Sequence, residues 1–171
     1  VLATVNILET VRLNNFETTV LVTTTDKVYR NVSNESRPFA EDDPLGGFDP
    51  YSGSKAATDI LAQTWGNIIS MGKENKGRVL VARAGNVIGG GDWSPDRLIP
   101  DCVRSIGAQR DITLRNPTYT RPWQHVLEPI VGYLLFLLSA RDITSSQGSR
   151  DVLNFGPIPG ERCDVEWVSK T

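Results

Sequence analysis

The sequence predicts an α/β fold in which helices cover a parallel sheet. Segments with strand and helix character alternate along the 171 residues, and that alternation is typical of parallel sheets with crossover helices. The segments TVLVTTT (19–25) and RVLVARAGN (78–86) are rich in apolar and β-branched residues, as strands buried on both faces are. Apolar residues recur at close to a helical period over residues 1–14, which predicts a helix before the first strand.

A long loop and a well-marked helix are expected between these two strands. Residues 30–50 are rich in Asn, Ser, Asp, Pro and Gly, which predicts a loop, and loops of that length often carry function. Asp49 fits a helix N-cap and Pro50 fits the first helical position. The helix is expected to bury its apolar residues, namely Ala57, Ile60, Leu61, Trp65 and Ile68.

Four further elements are expected after the second strand. The patterns predict a helix at about 96–108, a short strand at 111–116, a helix at 127–141 and a last strand at 151–157.

The composition limits the classes of function. A net charge of −2, with 22% charged and 39% hydrophobic residues, indicates a soluble globular protein without the basic excess of a nucleic-acid binder. The longest apolar run, at 130–140, is shorter than the roughly 20 residues that span a membrane. No basic region of a signal peptide opens the chain, so we expect a cytoplasmic protein. Cys102 and Cys163 define no disulfide framework, and with one histidine we expect no metal site.

Two groups of polar residues could carry chemistry together. Tyr51 and Lys55 stand four residues apart at the predicted helix start, so they share one face, and an ammonium group near a phenol favours the phenolate, a usable base. A solvent-facing tyrosine and lysine would give the same pattern. Thr25, Asp26 and Lys27 follow the first strand, where open parallel sheets bind ligands, although polar residues are common at strand ends.

Four motifs resemble a known family. TTTDKVY (23–29), DPYSGSKAATD (49–59), ARAGNVIGGGDW (82–93) and RNPTYTRPWQHVLEP (115–129) are similar to the extended short-chain dehydrogenase/reductases, and within them to the nucleotide-sugar 4,6-dehydratases. The resemblance implies part of a Rossmann-type doubly wound parallel sheet, at 1–86. Residues 87–171 would then hold segments of a smaller substrate domain interleaved with the last Rossmann elements.

The resemblance also implies roles for named residues. Thr25, Tyr51 and Lys55 would assist the oxidation of the sugar at C4 by NAD, and Thr23, Tyr51 and Lys55 would contact NAD. Asp26 would protonate the departing C6 hydroxyl. Lys27 stands where some relatives have a Glu that removes the C5 proton; it would act as that base, stabilise charge, or be only an exposed loop lysine.

Substrate contacts are implied in the second half of the chain. Asn86, Arg97 and Arg121 match positions that contact a nucleotide diphosphate, and arginine suits phosphate binding, although each would also be ordinary at a surface. The resemblance implies a CDP-sugar substrate, a homodimer of the full-length protein, and a lyase of deoxysugar synthesis for surface polysaccharides such as lipopolysaccharide O-antigen.

The glycine-rich dinucleotide turn of the family has no match in the sequence. We therefore expect a piece of a longer protein whose N-terminal glycine-rich portion is missing, and we expect this stretch alone to be inactive and to bind NAD weakly or not at all. The alternatives are another sugar-nucleotide dehydratase, a 4-epimerase, or a nonfunctional fragment.

Overall fold

The computed structural model describes residues 1–31, 37–72, 77–142, 151–158 and 164–170. Its helices are α1 (Leu2–Leu13), α2 (Pro50–Met71), α3 (Leu98–Gly107), α4 (Leu127–Asp142) and α5 (Val165–Lys170). Its strands are β1 (Thr19–Thr25), β2 (Arg78–Ala84), β3 (Val87–Ile88), β4 (Gln124–His125) and β5 (Val152–Phe155). The chain divides into two compact units, the first made of Val1–Ala84 with Ile130–Phe155 and the second of Gly85–Pro129 with Gly156–Thr171.

The first unit contains a parallel sheet with the order β1-β2-β5. Thr19 pairs with Arg78 and Thr25 with Ala84, so β1 and β2 end at the same level. The predicted α/β fold with a parallel sheet is confirmed, and so is the predicted N-terminus of α2, with Asp49 as the cap and Pro50 in the first turn.

Apolar side chains cover both faces of this sheet, as continuously apolar strands require. On one face, residues of α1 and α2 pack against alternate strand residues in a cluster of Leu8, Val11, Val22, Ala62, Ile69, Val79 and Val81. On the other face, Phe136 and Ala140 of α4 pack against Leu80.

The predicted buried face of α2 is wrong for Ile60 and Ile68, whereas the predicted Trp65 is partly buried and packs against the core cluster. Ile60 and Ile68 are 49% and 46% exposed, whereas Ala56, Thr58, Asp59 and Ala62 are buried. The small alanines allow the helix to approach the sheet closely, and Asp59 is buried because it has a charged partner there, described below.

The second unit contains a two-stranded parallel sheet of β3 and β4, with α3 and α5. The predicted strand at 111–116 is wrong, and that segment is irregular. A β-branched run becomes a strand only with a partner to pair with; here the backbone just after the segment instead meets α5, where the Glu166 amide donates to the Pro117 carbonyl at 2.9 Å. The helix α5 was not expected from the sequence.

Across the residues described, no helix combines the length and apolar character needed to cross a membrane.

Candidate active site

Thr25, Asp26 and Lys27 form a compact turn at the end of β1. Thr25 has extended backbone angles and caps a single 3-10 turn, Asp26–Val28. Its hydroxyl accepts a hydrogen bond from the Lys27 amide at 3.4 Å and donates to Asp26 Oδ1 at 3.0 Å. Thr25 is buried, while Lys27 is exposed. The local capping geometry therefore fixes the hydroxyl and leaves the amine facing solvent.

Asp49 fixes the start of α2, where Tyr51 lies. Its Oδ1 atom accepts from the backbone amides of Tyr51 and Ser52 at 2.8 and 3.0 Å, and Ser52 Oγ accepts from the Asp49 amide at 3.0 Å. Hydrogen bonds from the backbone and side chain of Ser52 lower the pKa of Asp49, and the positive charge of Lys27 contributes to the same shift. The carboxylate thus links the first helical turn electrostatically to the turn after β1.

A glycine allows the preceding loop to touch this first helical turn. A Cβ atom at Gly47 would lie 1.9 Å from the Gly53 amide nitrogen and 2.2 Å from the Ser52 carbonyl carbon, far inside van der Waals contact. A larger residue at position 47 would force the loop away from the helix that carries Tyr51.

The two predicted motifs meet at Lys27 and Tyr51. The Lys27 ammonium nitrogen lies 5.9 Å from the centroid of the Tyr51 ring, within the usual range of a cation–π contact. Tyr51 is 53% exposed, so its hydroxyl is accessible to a substrate. The structure therefore brings Tyr51, expected for oxidation, next to Lys27, expected for loss of water.

Lys55 and Thr23 line a cleft of about 330 Å³ in the first unit. Polar groups of Ser54 and Thr58 share its lining with apolar side chains of α1 and β1, among them Ile7, Leu8, Val20 and Val22. An apolar cleft with a few converging polar groups is the common form of a small-molecule site.

The three predicted substrate residues lie in the second unit. The Asn86 carbonyl accepts from the Gln124 amide at 3.0 Å. Arg97 is exposed at the N-cap of α3. The Arg121 guanidinium lies 5.5 Å from the centroid of the Tyr119 ring and donates to the Thr120 carbonyl at 3.1 Å. Arg97 and Arg121 are both exposed and available to an anionic ligand.

A buried ion pair next to these motifs was missed by the sequence reasoning. Arg83 in β2 donates to both carboxylate oxygens of Asp59 at 2.8 and 2.9 Å, and both side chains are almost completely buried. Thr24 donates to the same carboxylate at 2.8 Å. The available signal was the arginine within the apolar run VLVARAG, because a charge in a buried strand needs a partner.

The comparisons with known proteins agree with this fold. The profile of the NAD dependent epimerase/dehydratase family matches residues 1–152, so the chain belongs to that family. It is 41% identical over 172 residues to the CDP-glucose 4,6-dehydratase of Salmonella typhimurium, with 98% of this chain and 47% of the relative covered. The chain thus spans about half the length of this curated relative.

Two solved structures illustrate the similarity. The dTDP-glucose 4,6-dehydratase of Bacillus anthracis in complex with NAD has a TM-score of 0.77 and 26% identity, covering 99% of this chain and 49% of that one. MoeE5 in complex with UDP-glucose and NAD has a TM-score of 0.71 and 28% identity, covering 98% of this chain and 51% of the other.

Proposed function

We propose that the protein containing this chain is an NAD-dependent dehydratase that converts CDP-glucose to CDP-4-keto-6-deoxyglucose. The observation that carries the proposal is the meeting of the two motifs, with Lys27 5.9 Å from the Tyr51 ring and Asp26 hydrogen-bonded to Thr25 at 3.0 Å. An enzyme that only oxidises and reduces C4 does not require an additional acid and amine, here Asp26 and Lys27, beside its tyrosine. The 41% identity to a CDP-glucose 4,6-dehydratase supports the choice of substrate.

Thr25, Tyr51 and Lys55 serve the first step. When the sugar binds, the Thr25 hydroxyl turns from Asp26 to donate a hydrogen bond to the C4 oxygen, and Tyr51 takes the proton of the C4 hydroxyl as C4 becomes a ketone. Lys55, one helical turn after Tyr51, stabilises the phenolate by its positive charge. Asp49 and Gly47 position Tyr51 through the first turn of α2.

Asp26 and Lys27 serve the loss of water. The C4 ketone makes the C5 proton acidic, so a neutral Lys27 can remove that proton, or a charged Lys27 can stabilise the enolate that forms. Asp26 gives a proton to the C6 hydroxyl, which leaves as water, and a proton from solvent reaches C5 at the end of the reaction. Both side chains belong to one turn, so they act on adjacent carbons of the sugar.

The cleft beside Lys55 fits the nicotinamide end of NAD. Its apolar wall suits the ring, and its hydroxyl and ammonium groups suit the ribose. Bound NAD supplies the hydride acceptor for C4 and the hydride donor for C6. The residues that would contact it are Thr23, Tyr51 and Lys55.

Three residues of the second unit are proposed to contact the nucleotide diphosphate. Asn86 offers an amide, and Arg97 and Arg121 offer exposed guanidinium groups, which bind phosphate oxygens in pairs.

We further infer a cytoplasmic homodimer that supplies deoxysugars for surface polysaccharides. Exposed apolar side chains on α2, Ile60 and Ile68 among them, support an association surface, because exposed apolar area commonly marks an interface.

The proposed function is tested by product analysis in deuterated water. The intact gene product is incubated with NAD and, in separate reactions, with CDP-glucose, dTDP-glucose and UDP-glucose, and the sugars are identified by mass spectrometry and NMR. We expect a 4-keto-6-deoxy sugar with deuterium at C5, formed fastest from CDP-glucose. A C4 epimer, or unreacted sugar in all three reactions, would contradict the proposal, and a faster reaction of another nucleotide would contradict the substrate.

A further inference from the structure

Tyr29 follows directly after the turn that carries Asp26 and Lys27, and it is only 5% exposed. Its hydroxyl accepts a hydrogen bond from Arg83 Nη1 at 2.8 Å and donates one to Asn154 Oδ1 at 2.5 Å. The Arg83 guanidinium also lies 5.0 Å from the centroid of the Tyr29 ring. A single hydroxyl therefore joins the end of β1 to residues of β2 and β5.

The same residues hold the loop that leads to α2. Asn154 donates from its side-chain amide to the Phe39 carbonyl at 3.0 Å, and its backbone amide donates to Glu41 Oε1 at 3.0 Å. Arg83 Nη1 donates to the Glu41 carbonyl at 2.9 Å. The Phe39 ring stacks on Tyr29 with 4.7 Å between centroids. We call this set of Tyr29, Phe39, Glu41, Arg83 and Asn154 the Tyr29 clamp.

Backbone hydrogen bonds continue the clamp toward both catalytic motifs. The Gly46 amide donates to the Val28 carbonyl at 2.8 Å, and the Arg30 amide donates to the Pro44 carbonyl at 2.8 Å. Tyr29 and Leu45 form an antiparallel bridge between them. The loop is thus paired with the residues at the end of the Asp26–Val28 turn and just after it. Gly47, one residue beyond Gly46, packs closely against the first turn of α2.

The protonation states of Tyr29 and Arg83 favour the hydrogen bond between them. Burial raises the pKa of Tyr29, so the hydroxyl remains a donor at neutral pH. Burial alone would lower the pKa of Arg83, but hydrogen bonds to Asp59 and Tyr29 outweigh it and the pKa is raised. The hydrogen bond between Arg83 and Tyr29 is therefore kept at neutral pH.

We propose that Tyr29 is a positioning residue that fixes the positions of Asp26 and Lys27 relative to Tyr51. It does so through its hydrogen bonds to Arg83 and Asn154 and through its contacts with the 39–46 loop. The inference rests on the proposed function for its chemical consequence. Tyr51 lies on a helix fixed by its own packing, whereas the Asp26–Val28 turn has only three residues. Loss of the clamp accordingly displaces Asp26 and Lys27 more than Tyr51.

The first test measures the clamp itself, without NAD or sugar. Hydrogen–deuterium exchange is followed in the intact protein and in Tyr29→Phe, which keeps the stacked ring and loses both hydrogen bonds of the hydroxyl. We expect exchange at Arg30 and Gly46 to accelerate about tenfold or more, as the loss of two buried hydrogen bonds implies. Tyr133→Phe is the control, because it removes the hydroxyl of a half-buried tyrosine elsewhere in the same unit, and we expect no change at these two amides.

The second test measures which chemical step the displacement affects. In quenched single turnovers with CDP-glucose, Tyr29→Phe is expected to accumulate the oxidised sugar that still carries its C6 hydroxyl, while Tyr133→Phe resembles the unmodified protein. Asn154→Ala, which leaves the Arg83–Tyr29 bond in place, provides a second variant and is expected to change both readouts in the same direction.

Several results would overturn the inference. Unchanged exchange at Arg30 and Gly46 in Tyr29→Phe would show that the hydroxyl does not hold the loop. Faster exchange with equal slowing of oxidation and water loss would show that the clamp stabilises the fold without positioning Asp26 and Lys27. If the unmodified protein forms no 4-keto-6-deoxy sugar, the proposed function fails, while the exchange measurement still decides whether the clamp exists.

Discussion

Two groups of polar side chains lie at the carboxyl ends of β1 and β2, and they differ in exposure and in hydrogen bonding. Lys27 and Tyr51 are exposed and contact each other only across a 5.9 Å cation–π distance. Arg83, Asp59 and Tyr29 are buried, and each makes hydrogen bonds of 2.9 Å or less within its group. One group is open to a substrate and the other is satisfied internally.

This difference indicates that the exposed group and the buried group have different roles. A buried, fully paired network cannot take part in proton transfer with a substrate, but it can fix the backbone that carries the exposed groups. Substitutions in the exposed group should therefore change the rate with little effect on stability, and substitutions in the buried group should change stability first.

The largest effect, a loss of turnover, is expected for Tyr51→Phe in the exposed group. Removing the proposed base of the oxidation step should lower the turnover number by about a hundredfold to ten-thousandfold, while the midpoint of thermal unfolding stays near that of the unmodified protein because the Tyr51 side chain is 53% exposed. Product formation and thermal unfolding are measured on the same samples, with Tyr133→Phe as the control. A large loss of stability in Tyr51→Phe would contradict the expectation that substitutions in the exposed group change the rate and not the stability.

The second-largest effect, a loss of stability, is expected for Asp59→Ala in the buried group. The variant leaves Arg83 buried without its carboxylate, which should lower the free energy of unfolding by about 3–5 kcal/mol. Denaturant unfolding measures this change. The double variant Asp59→Leu with Arg83→Met removes both charges, and we expect it to lose less stability than Asp59→Ala; a greater or equal loss would show that the unpaired charge is not the cause.

The smallest effect is expected at Asp49, which belongs to neither group and caps α2. Its pKa is lowered by the hydrogen bonds from Ser52 and Tyr51, so its ionised form stabilises the fold at pH values above the ordinary aspartate pKa of about 3.9. That contribution is lost as the pH falls through the lowered folded-state pKa. Asp49→Asn still caps the helix but cannot titrate, so we expect its stability to depend less on pH below about 4.

Thermal unfolding of both proteins across this acid range checks the prediction. Parallel pH profiles for the two proteins would mean that the Asp49 carboxylate does not contribute in the ionised form.

Local sequence motifs predicted the candidate site residues, whereas they did not predict the buried Arg83–Asp59 pair. The TTTDKVY and DPYSGSK motifs are the basis for proposing Thr25, Asp26, Lys27, Tyr51 and Lys55 as site residues, because chemistry restricts residue type and spacing. The helix start was also predictable, since capping is a local interaction between Asp49 and Ser52.

The buried face of α2 was not predictable from apolar spacing alone. Asp59 is buried because of Arg83, which lies 24 positions along the chain, and the Tyr29–Asn154 bond spans 125 positions. Such pairs depend on the sheet register, which local patterns do not specify. The strand predicted at 111–116 failed for the same reason, because strand formation depends on a partner elsewhere in the chain.

The most direct test of the central claim is a comparison of the two chemical steps in Asp26→Asn and Lys27→Gln of the intact protein. In quenched single turnovers with CDP-glucose, we expect C4 oxidation to proceed at close to its normal rate in both variants. We expect water loss to slow by about a hundredfold, as for removal of a general acid or base, so that the oxidised sugar with its C6 hydroxyl accumulates. Equal slowing of the two steps, or normal water loss in both variants, would contradict the assignment of Asp26 and Lys27 to the elimination.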